Sequence, residues 1–375
     1  MKRIPILICT LVFIMLLSVF SVNADTLDDL SSASNAYTLD DNLPDEVNSA
    51  LSELGISSED FSTTQNLSFS QVLAYLLDTV NSEAGEILPS VCVVLAVLLL
   101  YSIFSGVFES VTNPALSTVL SVVSALCIAC VLLLPVTDLI ETAKNAIETS
   151  ANFMLAFTPV MTAVLISSGQ AVTGSGYCAM MVVAAEAVAQ FFSKLIAPLL
   201  SCFLSLGISS SVVPEIKIQS LIGFFSKSVK WIMSFVFTLF ISLLTLKTLY
   251  SSSVDNVSSR AVRYTMSSFV PVVGGALSEA YRTVHGSVGI LKSGVGVFVI
   301  IAVIAVFLPV LIKLLIWLFT VNMCKCFAET TNLASPQLML SSISTVLSLL
   351  LSVILCIIAL FVITTALIIT IGGTA

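Results

Sequence analysis

ILPSVCVVLAVLLLYSIFSGVF, residues 87–108, is a run of 22 residues without a single charge. About twenty apolar residues rising 1.5 Å each are enough to cross roughly 30 Å of hydrocarbon. The run therefore reads as a membrane-spanning helix, and the chain differs on its two sides. Upstream, from Asp25 to Val91, thirteen acidic residues occur with no Lys or Arg. Cytoplasmic loops of membrane proteins are enriched in Lys and Arg, so a block lacking both is expected on the translocated side. Downstream, apolar residues dominate. Of 375 residues, 57% are hydrophobic and 10% charged, with a mean hydropathy of +1.10. A soluble domain carries roughly 25% charged residues. So few charges cannot solvate a globule of this size, and the fold class expected is all-α, a polytopic membrane protein.

The N-terminus supports that orientation. Met1-Lys2-Arg3 is a short basic segment, Ile4 to Val22 is apolar, and Val22-Asn23-Ala24 places small residues before Asp25. This is the layout of a secretory signal peptide over residues 1–24. An uncleaved signal anchor is the other reading, and both put Asp25 outside the cytoplasm. Cys9 lacks a lipobox context.

Residues 25–86 form the expected acidic extracytoplasmic domain, and residues 87–375 the multi-span membrane domain. Within the first, Pro44 opens a short helix with Val47, Leu51 and Leu54 on one face, ended by Gly55. A second helix opens at Ser68, with Gln71 at a capping-box spacing. Its apolar face is Val72, Leu73, Leu76, Leu77 and Val80. So small a domain has little core of its own, and its apolar faces are expected to rest on the membrane or on another protein.

Hydropathy marks about seven spans: 87–108, 115–136, 153–168, 177–207, 231–250, 294–320 and 338–371. Between the fifth and sixth lies a stretch from 251 to 293 with Arg260, Arg263, Arg282 and Lys292, expected as a long cytoplasmic loop. The basic segment 208–230, with Lys217, Lys227 and Lys230, reads as an interfacial helix or as the flank of a re-entrant span.

Three segments share the pattern F-x-P-V: Phe157-Thr158-Pro159-Val160, Phe269-Val270-Pro271-Val272 and Phe307-Leu308-Pro309-Val310. Proline removes a helix hydrogen bond and bends or breaks the rod. Helix breaks are therefore expected at Pro159, Gly169, Pro271, Gly274 and Pro309. Short Gly/Pro-interrupted spans are a feature of transporters; ordinary kinks and loop ends are the plainer reading.

Polar groups within apolar spans are the remaining candidates. Glu186, Gln190 and Lys194 recur at i, i+4, i+8 and form a rough stripe drifting about 40° per step. Lipid exposure of such a stripe is disfavoured, so it is expected to face the bundle or water, as helix glue or as the lining of a conduit. Lys313 is expected to snorkel toward an interface. Ser344, Ser348, Ser352 and Cys356 make a small-residue stripe for close helix packing. Asp138, Glu141, Asn145 and Glu148 read as the solvated side of a helix before the third span. Six of the nine cysteines lie in apolar runs, where Cys acts as a small hydrophobe. Cys127 and Cys130 are a C-x-x-C by spacing alone. His285 is the only histidine, so Cys/His zinc sites and zincin chemistry lack ligands. No cofactor, no metal and no nucleic acid is expected; the lipid bilayer is the first partner.

These segments, in this order, resemble the stage III sporulation protein AE family of endospore-forming bacteria. The similarity rests on Leu67-Ser68 with Leu73, Leu76 and Leu77. It continues with Phe153 to Pro159, leading on to Ser167-Ser168-Gly169. It ends with Ser268 to Gly274, followed by Val288 to Lys292. It covers most of the chain after about residue 67, and residues 25–66 show no clear counterpart. The resemblance implies a membrane subunit of a mother cell–forespore channel or secretion-like complex. That complex is made by the mother cell and joins a forespore membrane protein across the intermembrane space. Its other membrane subunits would be the partners. The resemblance implies no catalytic residues, and the chain is expected not to be an enzyme. A stand-alone secondary transporter for a small solute is the competing reading.

Overall fold

The computed structural model of the protein describes residues 44–53, 69–109, 114–212, 218–269, 274–331 and 333–371. The signal peptide and Pro271 lie outside them. The described chain is helical throughout. Its elements are α1 (Asp45–Glu53), α2 (Phe69–Glu109), α3 (Pro114–Ser167), α4 (Ala171–Phe191), a π-helical turn (Phe192–Ile196), α5 (Ala197–Val212), α6 (Ile218–Phe269), α7 (Gly274–Thr330) and α8 (Ala334–Ile371). Among the described residues six helical stretches are long and apolar enough to cross a membrane.

The helices are longer than hydropathy suggests. α3, α6 and α7 run for 54, 52 and 57 residues, roughly 80 Å each at 1.5 Å per residue. Two stretches read as separate spans, 115–136 and 153–168, are the two ends of α3. Their polar linker, with Asp138, Glu141, Asn145 and Glu148, is helical too. Hydropathy windows close at charges, but Glu, Lys and Ala are good helix formers, so the backbone continues. For the same reason α2 crosses residue 86 without interruption. The long loop expected from 251 to 293 is not a loop: α6 continues to Phe269 and α7 begins at Gly274. The basic segment around Lys227 and Lys230 is the first part of α6.

The breaks expected at Pro159 and Pro309 are not breaks, because both prolines sit inside continuous helices. The two F-x-P-V patterns within the described residues are instead packing units. Phe157 and Phe307 are fully buried, and Val160 and Val310 are buried beside them. Proline costs one backbone hydrogen bond, and packing against neighbouring helices tolerates that loss. Gly169 does end a helix. It closes α3 in the left-handed region, at φ 74°, where a side chain would be strained. Gly274 is the first residue of α7.

α8 is the central helix, packed against α7, α6, α5 and α3. Phe298, Phe307 and Leu314 of α7 meet a core that includes Leu347, Leu350, Ile354 and Phe361 of α8, all fully buried. Phe153 and Phe157 of α3 complete it. α1 packs on α7, burying Val47 and Leu51; the apolar face of that short helix rests on its own chain. α6 is peripheral. Trp231, Phe235, Leu239, Leu243, Leu246 and Tyr250 stand exposed along it, as apolar residues do when lipid is the solvent.

Candidate functional site

α6 supplies a ruler for depth. Between Lys230 and Lys247 its sixteen residues carry no charge. Trp231 adjoins one lysine and Tyr250 lies near the other. Lys, Trp and Tyr concentrate where membrane meets water, and the two lysines are about 25 Å apart along the helix. Contacts carry both levels to neighbouring helices. At the Lys247 end, the carboxylate of Asp255 accepts from the backbone N–H groups of Val172 (3.1 Å) and Thr173 (2.7 Å) at the start of α4. Gly176 of α4 faces the Lys247 stem. α4 thus begins at this level and runs antiparallel to α6.

At the Lys230 end, the ammonium donates to Ser348 Oγ of α8 at 3.1 Å. Thr365, seventeen residues on, returns α8 to the Lys247 level, where Gly296 of α7 packs against Thr365 and Ile369. Seventeen further residues bring α7 to Lys313, whose ammonium lies 3.8 Å from Asp138 of α3. Lys313 is thus held by a carboxylate of α3. Glu148 of α3 accepts from the Ser193 hydroxyl at 2.5 Å and lies 4.0 Å from Lys144. The side read as simply solvated therefore includes two carboxylates with partners.

Of the six candidate spans, five have segments between these levels, 149–166 of α3, 177–192 of α4, 231–246 of α6, 297–312 of α7 and 349–364 of α8, and the α2 span Ile87–Phe104 is not among those tied to them. Among them the belt contains one charged residue, Glu186. From Gly176 it is ten residues, about 15 Å, which sets it near the middle.

The Glu186, Gln190 and Lys194 stripe lies on one side of the helix and, of the two surroundings expected, bundle or water, it does not face the packed bundle. All three are exposed on the outside of the molecule. The inward side of α4 is filled by Tyr177, Met181, Ala184 and Ala185, and Gly174 approaches Leu165 and the Thr162 carbonyl of α3. A polar stripe opposite that packed side must point outward. A charge at the centre of a bilayer costs at least ~2.5 kcal/mol, and among the described residues Glu186 has no ion-pair or hydrogen-bond partner. The π turn follows directly. It buries Phe192 and Ile196, turns Ser193 toward Glu148 and leaves Lys194 exposed at the Lys230 level. π turns inside α-helices are frequent at functional positions.

The serine stripe of α8 is divided between two neighbours. Ser344 donates to Asn322 of α7 at 2.7 Å, Ser348 accepts from Lys230 of α6, and Ser352 bonds its own helix at the Ser348 carbonyl. The close helix approach occurs beside it, at Ser342. A methyl added at Gly207 of α5 would lie 2.5 Å from Ser342 Cβ. Ser342 also donates to Gln219, which in turn donates to Ser341. Spacing offered no hint of the Asp255 cap, the Gln219 seam or Lys292. Lys292, placed by sequence in a loop, is buried on α7, and its Nζ has no partner among the described residues.

Among the described residues no group of three His, Cys, Asp or Glu side chains is placed to hold a metal ion. Cys127 and Cys130 are exposed free thiols.

Comparison with known proteins gives the chain its relatives. It is 22% identical over 207 residues to "Stage III sporulation protein AE" of Bacillus subtilis (strain 168), a match covering 54% of this chain and 52% of that protein. The matching region thus spans about half the length of that curated relative. No solved structure matches. The description "Stage III sporulation protein AE" belongs also to the family profile that matches residues 55–372, taking in the whole belt and both of its flanks. On that match, this multi-span helical protein belongs to the stage III sporulation protein AE family.

Proposed function

We propose that the protein is a structural membrane subunit of a mother cell–forespore channel or secretion-like complex, needed for forespore development after engulfment. It resides in the mother-cell membrane around the forespore, with its acidic N-terminal segment in the space between the two membranes. Its partners there are the other stage III membrane subunits and a forespore membrane protein. The observation that carries this reading is the family match over residues 55–372. The exposed polar stripe on α4 supports a subunit that meets others side to side. The positive-free stretch from Asp25 to Val91 supports the orientation.

A solitary transporter draws less support. Its motivating features were Gly/Pro-interrupted spans and the Glu186, Gln190 and Lys194 stripe as the lining of a conduit. Pro159 and Pro309 lie in unbroken helices, and Glu186, Gln190 and Lys194 face outward.

Deleting the gene in its own sporulating host tests the proposal. Spores arrested after engulfment, and rescued by the gene in trans, are the expected result. Normal sporulation of the deletion strain would overturn it.

A further inference from the structure

We infer that the outward face of α4 around Glu186 is the docking strip for one transmembrane helix of a different membrane subunit, which offers a basic or hydrogen-bond-donating side chain at mid-bilayer depth. The inference rests on the complex-subunit reading above and names the surface through which the subunit joins. Three observations carry it.

The first is depth. Glu186 lies about 15 Å from the Lys247 level and near the middle of a belt that is otherwise uncharged. It is exposed there without a partner among the described residues. Lipid tails cannot solvate a carboxylate, and intramembrane charges face protein or water and pair.

The second is shape. Ser175, Ala179 and Ala187 lie exposed on the same side of α4, at i, i+4 and i+12, with Val183 between them. Small side chains at this spacing let a second helix come close, and Gln190 one turn from Glu186 adds a further hydrogen-bonding group.

The third is charge complementarity, which selects the occupant. Copies of one chain in one membrane present equal depths to each other. At the depth of Glu186 the described belt has no Lys, Arg or His, so the described residues of a second copy bring no counter-charge there. The exposed hydroxyls of Thr238 and Ser242 on α6 already donate to their own helix. The described belt thus offers Glu186 no basic counterpart from a second copy, which favours a different polypeptide as its source.

Photo-crosslinking in sporulating cells tests this on the full chain. Benzoylphenylalanine is placed at Val183, with Phe235 of α6 as the control. Val183 is expected to give an adduct with a second membrane protein. The captured peptide should be a transmembrane helix with Lys, Arg or an amide at the crosslinked depth. Glu186→Leu should lower that adduct about tenfold or more, equivalent to at least ~1.4 kcal/mol, and Glu186→Gln should retain most of it. Glu186→Lys combined with an acidic residue in the partner should restore it. A self-adduct of doubled mass, labelling of lipid only, or an adduct unchanged by Glu186→Leu would each overturn the inference. If Glu186→Leu lowers the amount of protein in the membrane, the Val183 adduct in otherwise unaltered protein decides alone. The two readings fail separately. A deletion strain that sporulates normally removes the complex-subunit reading. An arrested deletion strain with no heterologous Val183 adduct removes only the docking strip.

Discussion

Asp255 and Thr173 are 82 positions apart in sequence, yet the Asp255 carboxylate accepts the Thr173 backbone N–H at 2.7 Å. It accepts that of Val172 as well. The first N–H groups of any helix lack partners within it, and in α4 Gln170 provides no side-chain cap. A buried carboxylate from α6 takes that role. The Gly169 turn, the start of α4 and the Lys247 end of α6 are thereby fastened together.

Removing that cap should loosen one end of the belt. Loss of an N-cap costs ~0.5–2 kcal/mol, and leaving the buried Thr173 N–H without a partner adds to that. Asp255→Ala should therefore lower the thermal midpoint of the purified protein in detergent by several degrees. Asp255→Asn, which keeps one oxygen acceptor, should lower it less. Equal midpoints for all three proteins would refute the assignment.

Two glycines separate a rigid contact from a yielding one. A methyl at Gly207 meets Ser342 Cβ, next to the α8 backbone, whereas a methyl at Gly296 meets the mobile end of Ile369. Gly207→Ala should destabilise by ~1–3 kcal/mol, the usual cost of overpacking, and Gly296→Ala by less. Ser342→Gly should recover part of the Gly207→Ala loss, although it also removes the Gln219 hydrogen bond. Thermal unfolding of the four variants measures this, and a larger effect at Gly296 would contradict it.

The prolines should prove dispensable. Pro159 and Pro309 lie within continuous helices, so Pro159→Ala and Pro309→Ala restore a helix hydrogen bond without removing a turn. Both variants should support sporulation at close to the level of the unaltered gene and be at least as thermostable. Loss of spores in either, with normal protein amounts, would show that the proline itself is needed.

How much of this was legible in the sequence depends on how far apart the interacting residues lie. Span 231–250 could be read because its signal is local, a charge-free run with lysine and aromatic flanks. The apolar face of α1 at Val47 and Leu51 was legible for the same reason. Helix lengths were not, because a few charges such as Asp138 and Glu148 end a hydropathy window without ending a helix. The proline breaks failed because the sequence shows the lost hydrogen bond but not the packing around Phe157 and Phe307 that tolerates it. The stripe of Glu186, Gln190 and Lys194 was found by spacing. Its direction was not, since that is set by what fills the opposite side: Gly174, Tyr177, Met181 and Ala185. The Asp255 cap could not be seen at all, because nothing local links residue 255 to residue 173.

The account depends most on α6 crossing the bilayer between Lys230 and Lys247. In a protein freed of its native cysteines, thiols placed at the exposed positions Lys227 and Asn256 report the side of each end. A maleimide that cannot cross membranes should label one of them in intact cells and the other only after lysis. Labelling of both under the same condition would place the two ends on one side, and the belt, with Glu186 at its centre, would not be the membrane-spanning layer.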